Sequence, residues 1–191
     1  MPLSSRGKNG FLLMVDLASA FVSVALLSSA KAEFIQDGLW DKWLSIFGIP
    51  SELRSDQGRN VDGKMIRKLC DELAIKKNRS TPYHPEGNGA AERAIGSIKG
   101  LINRMCLGRK IGIENWDIII YEAVLAHNTN INKSRQFSPF MSMFSDKGRL
   151  PVDNFLSINQ HDAMNKDLIL ENAHQNRIEA QTNIRCRKIR V

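Results

Sequence analysis

Cysteine is scarce in this chain of 191 residues. Cys70, Cys106 and Cys186 stand far apart, with no C-x-x-C pair. That spacing argues against a disulfide framework and against a zinc site built from paired ligands. Long apolar runs are missing too. The longest uncharged stretch, Leu17 to Ala30, is 14 residues, too short to span a bilayer. No internal repeat or low-complexity tract occurs. The start imitates a secretory signal, with Arg6 and Lys8 first, LASAFVSVALL next and SSAKA after it. Asp16 interrupts the apolar run at Phe11–Leu27, and Ser19 and Ser23 dilute it.

What the chain does carry is a basic excess. Lys and Arg total 27 against 20 Asp and Glu, a formal charge of +7. Such a surface favours a polyanionic partner, although simple solubility explains it equally well. Hydrophobic residues make up 42%, enough for a core and too many for global disorder.

Apolar periodicity orders the chain. Phe11–Val15 and Ala20–Leu27 read as two buried strands around a turn at Asp16–Ser19. Lys31–Phe47 reads as a helix carrying Phe34, Ile35, Leu39, Trp43 and Ile46 on one face, stopped by Gly48 and Pro50. Glu52–Ser55 is a short strand, Val61–Leu73 a helix and Ala74–Asn78 another strand. Ser80–Gly89 reads as a loop. Ala90–Leu107 is a strong helix with Ala94, Ile98, Leu101 and Met105 as its stripe. Trp116–Thr129 is a further helix, Ser138-Pro139 opens a short one, and Lys147–Phe155 is loop-like. Asp162–Arg190 is polar and reads as a solvated helix or arm. The expected class is α/β with mixed strand directions, as one domain over 1–155 and a basic helical C-terminal extension over 156–191.

Two carboxylates stand out by position. Asp56 directly follows a predicted strand, where open α/β sheets place ligand groups. Glu92 sits early in the long helix, at the border of its apolar face, and shares an arc with Asn88, Lys99 and Asn103. Carboxylates presented by a strand end and a helix suit Mg²⁺, which takes oxygen ligands and keeps waters. Each residue also has an ordinary explanation, Asp56 as a turn former and Glu92 as a helix-dipole partner. Between them, STPYHPEGNGAAE supplies Tyr83, which can stack on a base, and His84, which can equally be a packing residue. Lys99 can reach a phosphate or simply be solvated. Basic residues recur at Lys76, Lys77, Arg79, Arg93, Arg104, Arg109 and Lys110, and again at Arg185, Arg187, Lys188 and Arg190. They suit phosphate contact, or, at the tail, a solvated terminus.

These residues resemble the integrase catalytic core of retroviruses and gypsy-type LTR retrotransposons. FLLMVDLASAFV resembles that family's second and third strands. GIPSELRSDQGRN resembles its G-x-P…S-D-x-G segment, and RKLCDELAIKKNRSTPYHPEGNGAAERAIGSIKGLI its third-acid region. Trp116 with HNTNINKSRQFSPFMSMF resembles the downstream W…Y-N-T…S-P-F signature, with His127 where an aromatic is common. Exactly 35 residues separate Asp56 from Glu92, the family's own spacing.

The resemblance implies an RNase H-like fold and metal-dependent polynucleotidyl transfer, in which a DNA 3′ end is trimmed and then joined to target DNA. It makes Asp56 and Glu92 the second and third catalytic acids, holding Mg²⁺ or Mn²⁺. It puts Tyr83, Asn88, Arg93 and Lys99 against DNA, with element ends and target DNA as partners. It further implies a homo-oligomer, no membrane, and work in the nucleus. The family's first Asp lies on a central strand between the second and fourth. Here Pro2-Leu3-Ser4-Ser5 resembles the turn after that strand, and Asp16 matches a non-catalytic position. No residue of the chain therefore takes the first catalytic place. The expectations are a missing central strand, exposed sheet edges and weak or absent joining. The alternative is a non-catalytic DNA-binding or chromatin-associated derivative. A general RNase H-like nuclease fits the fold but not the S-P-F signature or the spacing.

Overall fold

β1 (Gly10–Asp16) and β2 (Val22–Leu27) form an antiparallel hairpin in register from Gly10↔Leu27 to Val15↔Val22. The turn between them is built by Asp16. Its Oδ2 accepts from the Ser19 backbone N–H at 2.8 Å and from Ser19 Oγ at 2.6 Å. Ala20 takes a left-handed φ of 61° there. Asp16 is thus a buried turn former.

The computed structural model describes residues 1–55, 63–79, 85–131, 137–155 and 188–190. The order continues with α1 (Ala32–Leu39), a π-helical turn (Trp40–Leu44), α2 (Ser45–Phe47), β3 (Glu52–Ser55), α3 (Lys64–Glu72) and β4 (Lys76–Arg79). Then come α4 (Pro85–Gly108), a 3-10 turn (Ile113–Asn115), α5 (Trp116–Thr129), α6 (Pro139–Phe144), α7 (Pro151–Phe155) and β5 (Lys188–Arg190). The five strands make one mixed sheet, ordered β2-β1-β5-β3-β4.

Both faces of the sheet are covered, which is why β1 reads as a continuous apolar run rather than an alternation. Leu12 and Met14 join Ile35, Leu39, Trp43, Leu53, Ile66 and Ile189 in one core layer. Leu13 and Val15 join Ile98, Ile102, Trp116, Ile119 and Ile120 in the other. The result is the RNase H-like arrangement expected from the resemblance, a mixed sheet between helical layers. Close approach sets one glycine: a Cβ on Gly38 of α1 would stand 2.9 Å from Ala25 Cβ on β2.

Several boundaries differ from the sequence reading. The π-helical turn adds a residue to one turn and rotates the face, so Trp43 and Leu44 are buried while Phe34 and Ile46 are exposed. α4 starts at Pro85, inside the expected loop, because proline suits a first helical position. Its stripe centres on Ala91, Ala94, Ile98 and Ile102, which are buried, with Leu101 and Met105 only partly so. Pro151–Phe155 is helical rather than loop-like.

The largest correction concerns the tail. Lys188–Arg190 is a strand, not part of a solvated helical arm; residues 156–187 lie outside the described residues. β5 runs antiparallel to β1, with Val15↔Arg190 and Asp16↔Ile189. It runs parallel to β3, with Glu52↔Lys188, Leu53↔Ile189 and Arg54↔Arg190. It therefore sits between β1 and β3, the place the resemblance gives to a strand ahead of β1. A Lys-Ile-Arg alternation sends one apolar side chain into the core and two cations to the opposite face. Three residues are too few for periodicity to announce it.

Candidate metal and nucleic-acid site

β3 and β4 run parallel, so their carboxyl ends lie at one edge of the sheet, the position where such sheets bind ligands. β3 ends at Ser55, which is buried and whose Oγ accepts from Lys77 Nζ on β4. Asp56 follows at once. Asp56 and Tyr83 both lie outside the described residues, as does His84.

Glu92, Arg93 and Lys99 are described and exposed on α4. At 100° per residue, Glu92 and Lys99 differ by about 20° around the helix axis. They share one flank, while Ile98 and Ile102 lock the helix into the core. Asn88 belongs to the same helix, but its side chain is outside the described residues. The Arg93 guanidinium lies along the helix against Gly89, where a Cβ would stand 2.6 Å from Nη1. Glu92 makes no ion pair among the described residues and offers a hard oxygen donor, the chemistry a small dication takes. No group of three His, Cys, Asp or Glu that could hold an ion occurs among the described residues.

The basic residues divide. Lys76, Arg104 and Lys110 are exposed. Arg109 makes an exposed ion pair with Glu122 on α5. Lys188 and Arg190 are half-buried and buried in β5, so neither belongs to a solvated terminus. Burial holds His127 below the ordinary imidazole range, against the opposing pull of the Ala20 backbone. Its Nδ1 lies 3.3 Å from Ser97 Oγ on α4, which places the ring between α4 and α5.

Sequence reading missed one cluster at the start of β3. Glu52 is buried, and its Oε1 accepts from Arg54 Nε and, at 2.7 Å, from Asn78 Nδ2. Its Oε2 pairs with Lys188 Nζ at 3.2 Å. The Glu-x-Arg alternation of a predicted strand was its only sequence signal. Burial raises the carboxyl pKa, but the hydrogen bonds from Arg54, Asn78 and Lys188 outweigh it and lower the value from 4.5 to about 2. A carboxyl depressed by folding adds stability above its unfolded pKa and loses it as pH falls toward the folded one. Glu52 should therefore contribute about 2 kcal/mol above pH 4.5, after discounting its partly exposed partners. Unfolding free energies of the wild type and Glu52→Gln, from urea titration, should differ by that amount at neutral pH and converge as pH falls toward 2. A gap that stays constant with pH would contradict this.

Comparison with known proteins agrees with the fold. No family model matches the chain. The Pro-Pol polyprotein of feline foamy virus is 30% identical over 154 residues, 78% of this chain and 12% of the polyprotein. The chain thus spans about an eighth of that relative's length. Among solved structures, the simian T-cell lymphotropic virus intasome in complex with PP2A regulatory subunit B56 gamma superposes with a TM-score of 0.61 at 23% identity, over 74% of this chain and 49% of that one. The HTLV-2 integrase catalytic core domain in complex with magnesium, in a trimeric form, gives a TM-score of 0.53 at 24% identity, over 69% and 83%. No described helix is long and apolar enough to cross a membrane. In fold the chain resembles the integrase catalytic cores of retroviruses, and in sequence it is similar to retroviral Pro-Pol polyproteins.

Proposed function

We propose that this chain is the catalytic-core portion of a retroelement integrase and acts in DNA integration. The observation that carries the reading is α4, which buries one stripe and presents Glu92 and Lys99 together on an exposed flank. Asp56 and Glu92 would hold Mg²⁺, or Mn²⁺ in its place. The ion would supply Lewis-acid polarisation of a DNA phosphate. Lys99 and Arg93 would neutralise flanking phosphates, and Tyr83 and Asn88 would position the strand. Element ends and target DNA are the substrates, a second copy is the expected partner, and the nucleus is the expected place of action.

One observation favours the second reading, a DNA-binding protein without the chemistry. The strand beside β3 brings the cations Lys188 and Arg190, and no carboxylate, next to Glu52 and Arg54. Joining by residues 1–191 is accordingly expected to be weak.

Oligonucleotide joining and DNA binding, each measured with and without Mg²⁺, separate the two. The enzyme reading expects weak Mg²⁺-dependent joining that Glu92→Gln lowers at least about 100-fold, the effect of removing a charge-stabilising group. The binding reading expects no joining and an affinity that Glu92→Gln leaves unchanged. In both, log K should fall linearly with log salt, by about 0.9 for each phosphate neutralised. A flat salt dependence would remove DNA as the partner.

A further inference from the structure

Away from the Glu92 flank, α4 and α5 bring one hydroxyl and one imidazole together. Ser97 is exposed on α4, about 140° around the helix axis from Glu92. His127 Nδ1 on α5 lies 3.3 Å from its Oγ. The imidazole also hydrogen-bonds to the backbone of Ala20, in the turn between β1 and β2. Burial keeps the ring neutral near neutral pH, and a neutral imidazole has one N–H. With that proton given to the Ala20 carbonyl, the nitrogen beside Ser97 is an acceptor, and the Ser97 hydroxyl donates to it. A hydroxyl beside a base that a third group orients is the arrangement that makes serine nucleophilic. The 3.3 Å separation is long for a hydrogen bond, as such pairs commonly are before a substrate closes them.

The surroundings select the electrophile. Space in front of Ser97 is open, since a Cβ on Gly96 or Gly100 would meet nothing within 4 Å. Arg104 is exposed further along α4, about 20° from Ser97 around the axis and about 10 Å along it. Helical side chains lean toward the N-terminus, so Arg104 leans over Gly100 toward Ser97. A guanidinium there suits a phosphate carried by the electrophile.

We propose that Ser97 is an acyl-acceptor site, with His127 as its base and Arg104 as the anchor for the phosphate of an acyl phosphate. Ser97 Oγ attacks the acyl carbon and forms an ester bond. Its proton passes to His127 Nδ1, and the Ala20 carbonyl steadies the imidazolium through the other ring N–H. The bond from the acyl carbon to the phosphate oxygen breaks. Phosphate leaves with the bonding pair and takes up the proton from the ring. No oxidant or further reactant is required. This inference does not depend on the DNA-joining reading.

The test incubates the full chain with acetyl phosphate and maps the products by tandem mass spectrometry. Acetylation of Ser97 should run at least tenfold faster than that of any other serine. His127→Gln should lower the Ser97 rate at least about 100-fold, as loss of a general base does. Arg104→Ala should lower it at least fivefold more for acetyl phosphate than for p-nitrophenyl acetate, which carries no phosphate. Ser97 acetylated no faster than other serines, or at an undiminished rate in His127→Gln, overturns the proposal. Equal losses for the two reagents in Arg104→Ala overturn the acyl phosphate as its substrate class. One further measurement needs no variant. Imidazole nitrogen NMR shifts of the wild type should show His127 protonated at Nε2 and bare at Nδ1 at neutral pH. A ring protonated at Nδ1 instead overturns the proposal.

Discussion

Trp116→Ala should lower the unfolding free energy by about 3–5 kcal/mol, the cost of emptying a fully buried indole site. Folded domains carry only about 5–15 kcal/mol in total, so the variant should be marginal at room temperature. Trp116 is fully buried at the start of α5. Its ring lies 5.8 Å from that of Phe11 on β1, and it packs in the layer that holds Ala94, Ile98 and Ile102 of α4. The same side chain also ties down the N-terminal segment, since Nε1 donates to the Pro2 carbonyl at 2.8 Å. Trp116→Phe separates the two contributions. It keeps most of the packing and loses the hydrogen bond, whose carbonyl can turn to water. About 1–2 kcal/mol is expected for the phenylalanine variant. Urea unfolding with an unchanged m-value checks both. Equal losses in the two variants would show that the hydrogen bond, not the ring, dominates. Because α4 rests on this layer, the alanine variant should also loosen the helix that carries Glu92.

Trp116 was legible in the sequence as the opening residue of an apolar helix, and most of the frame was legible too. β1, β2, β3 and α5 lie within two residues of where apolar patterning puts them. A covered strand is a short apolar run bounded by turn formers, and that signal is local. What patterning missed was non-local. The π-helical turn at Trp40–Leu44 keeps helical spacing in the sequence and only shifts its phase. β5 joins the sheet because a gap exists between β1 and β3, a fact about the fold rather than about Lys-Ile-Arg. The expected solvated tail failed for that reason. The site was legible in a different way. Asp56 and Glu92 stood out through spacing and motif, whereas the Glu52 cluster needs β4 and β5 beside β3 before its partners exist. Likewise the ion pair between Arg109 and Glu122 needs α5 beside α4. A basic residue in a sequence reveals its charge and not its counter-ion.

The HNTN signature gives the second large effect, and it is structural. Asn128 is buried on α5. Its Oδ1 accepts from the Val22 N–H at 2.9 Å, and its Nδ2 donates to the Val22 carbonyl at 2.8 Å. β2 is an outer strand of the sheet, and the carboxamide does for Val22 what a further strand would do. Asn128→Ala leaves a buried donor and a buried acceptor unpaired, which should cost about 3 kcal/mol. Asn128→Asp distinguishes a pair of hydrogen bonds from mere filling of space, because its volume is nearly the same. At neutral pH the carboxylate can still accept from the Val22 N–H, but it cannot donate to the carbonyl and is itself buried. The loss should therefore equal or exceed that of alanine. Burial raises this carboxyl's folded pKa above its unfolded value, so the protonated form is the one that fits. Its stability should then recover as pH falls from about 7 to about 5. That direction is opposite to the acid sensitivity conferred by Glu52, which sets in only below pH 4.5. The two effects occupy separate pH windows and can be read in one titration. An aspartate variant as stable as the wild type at neutral pH would show that Asn128 fills a space and does not hold the edge of the sheet.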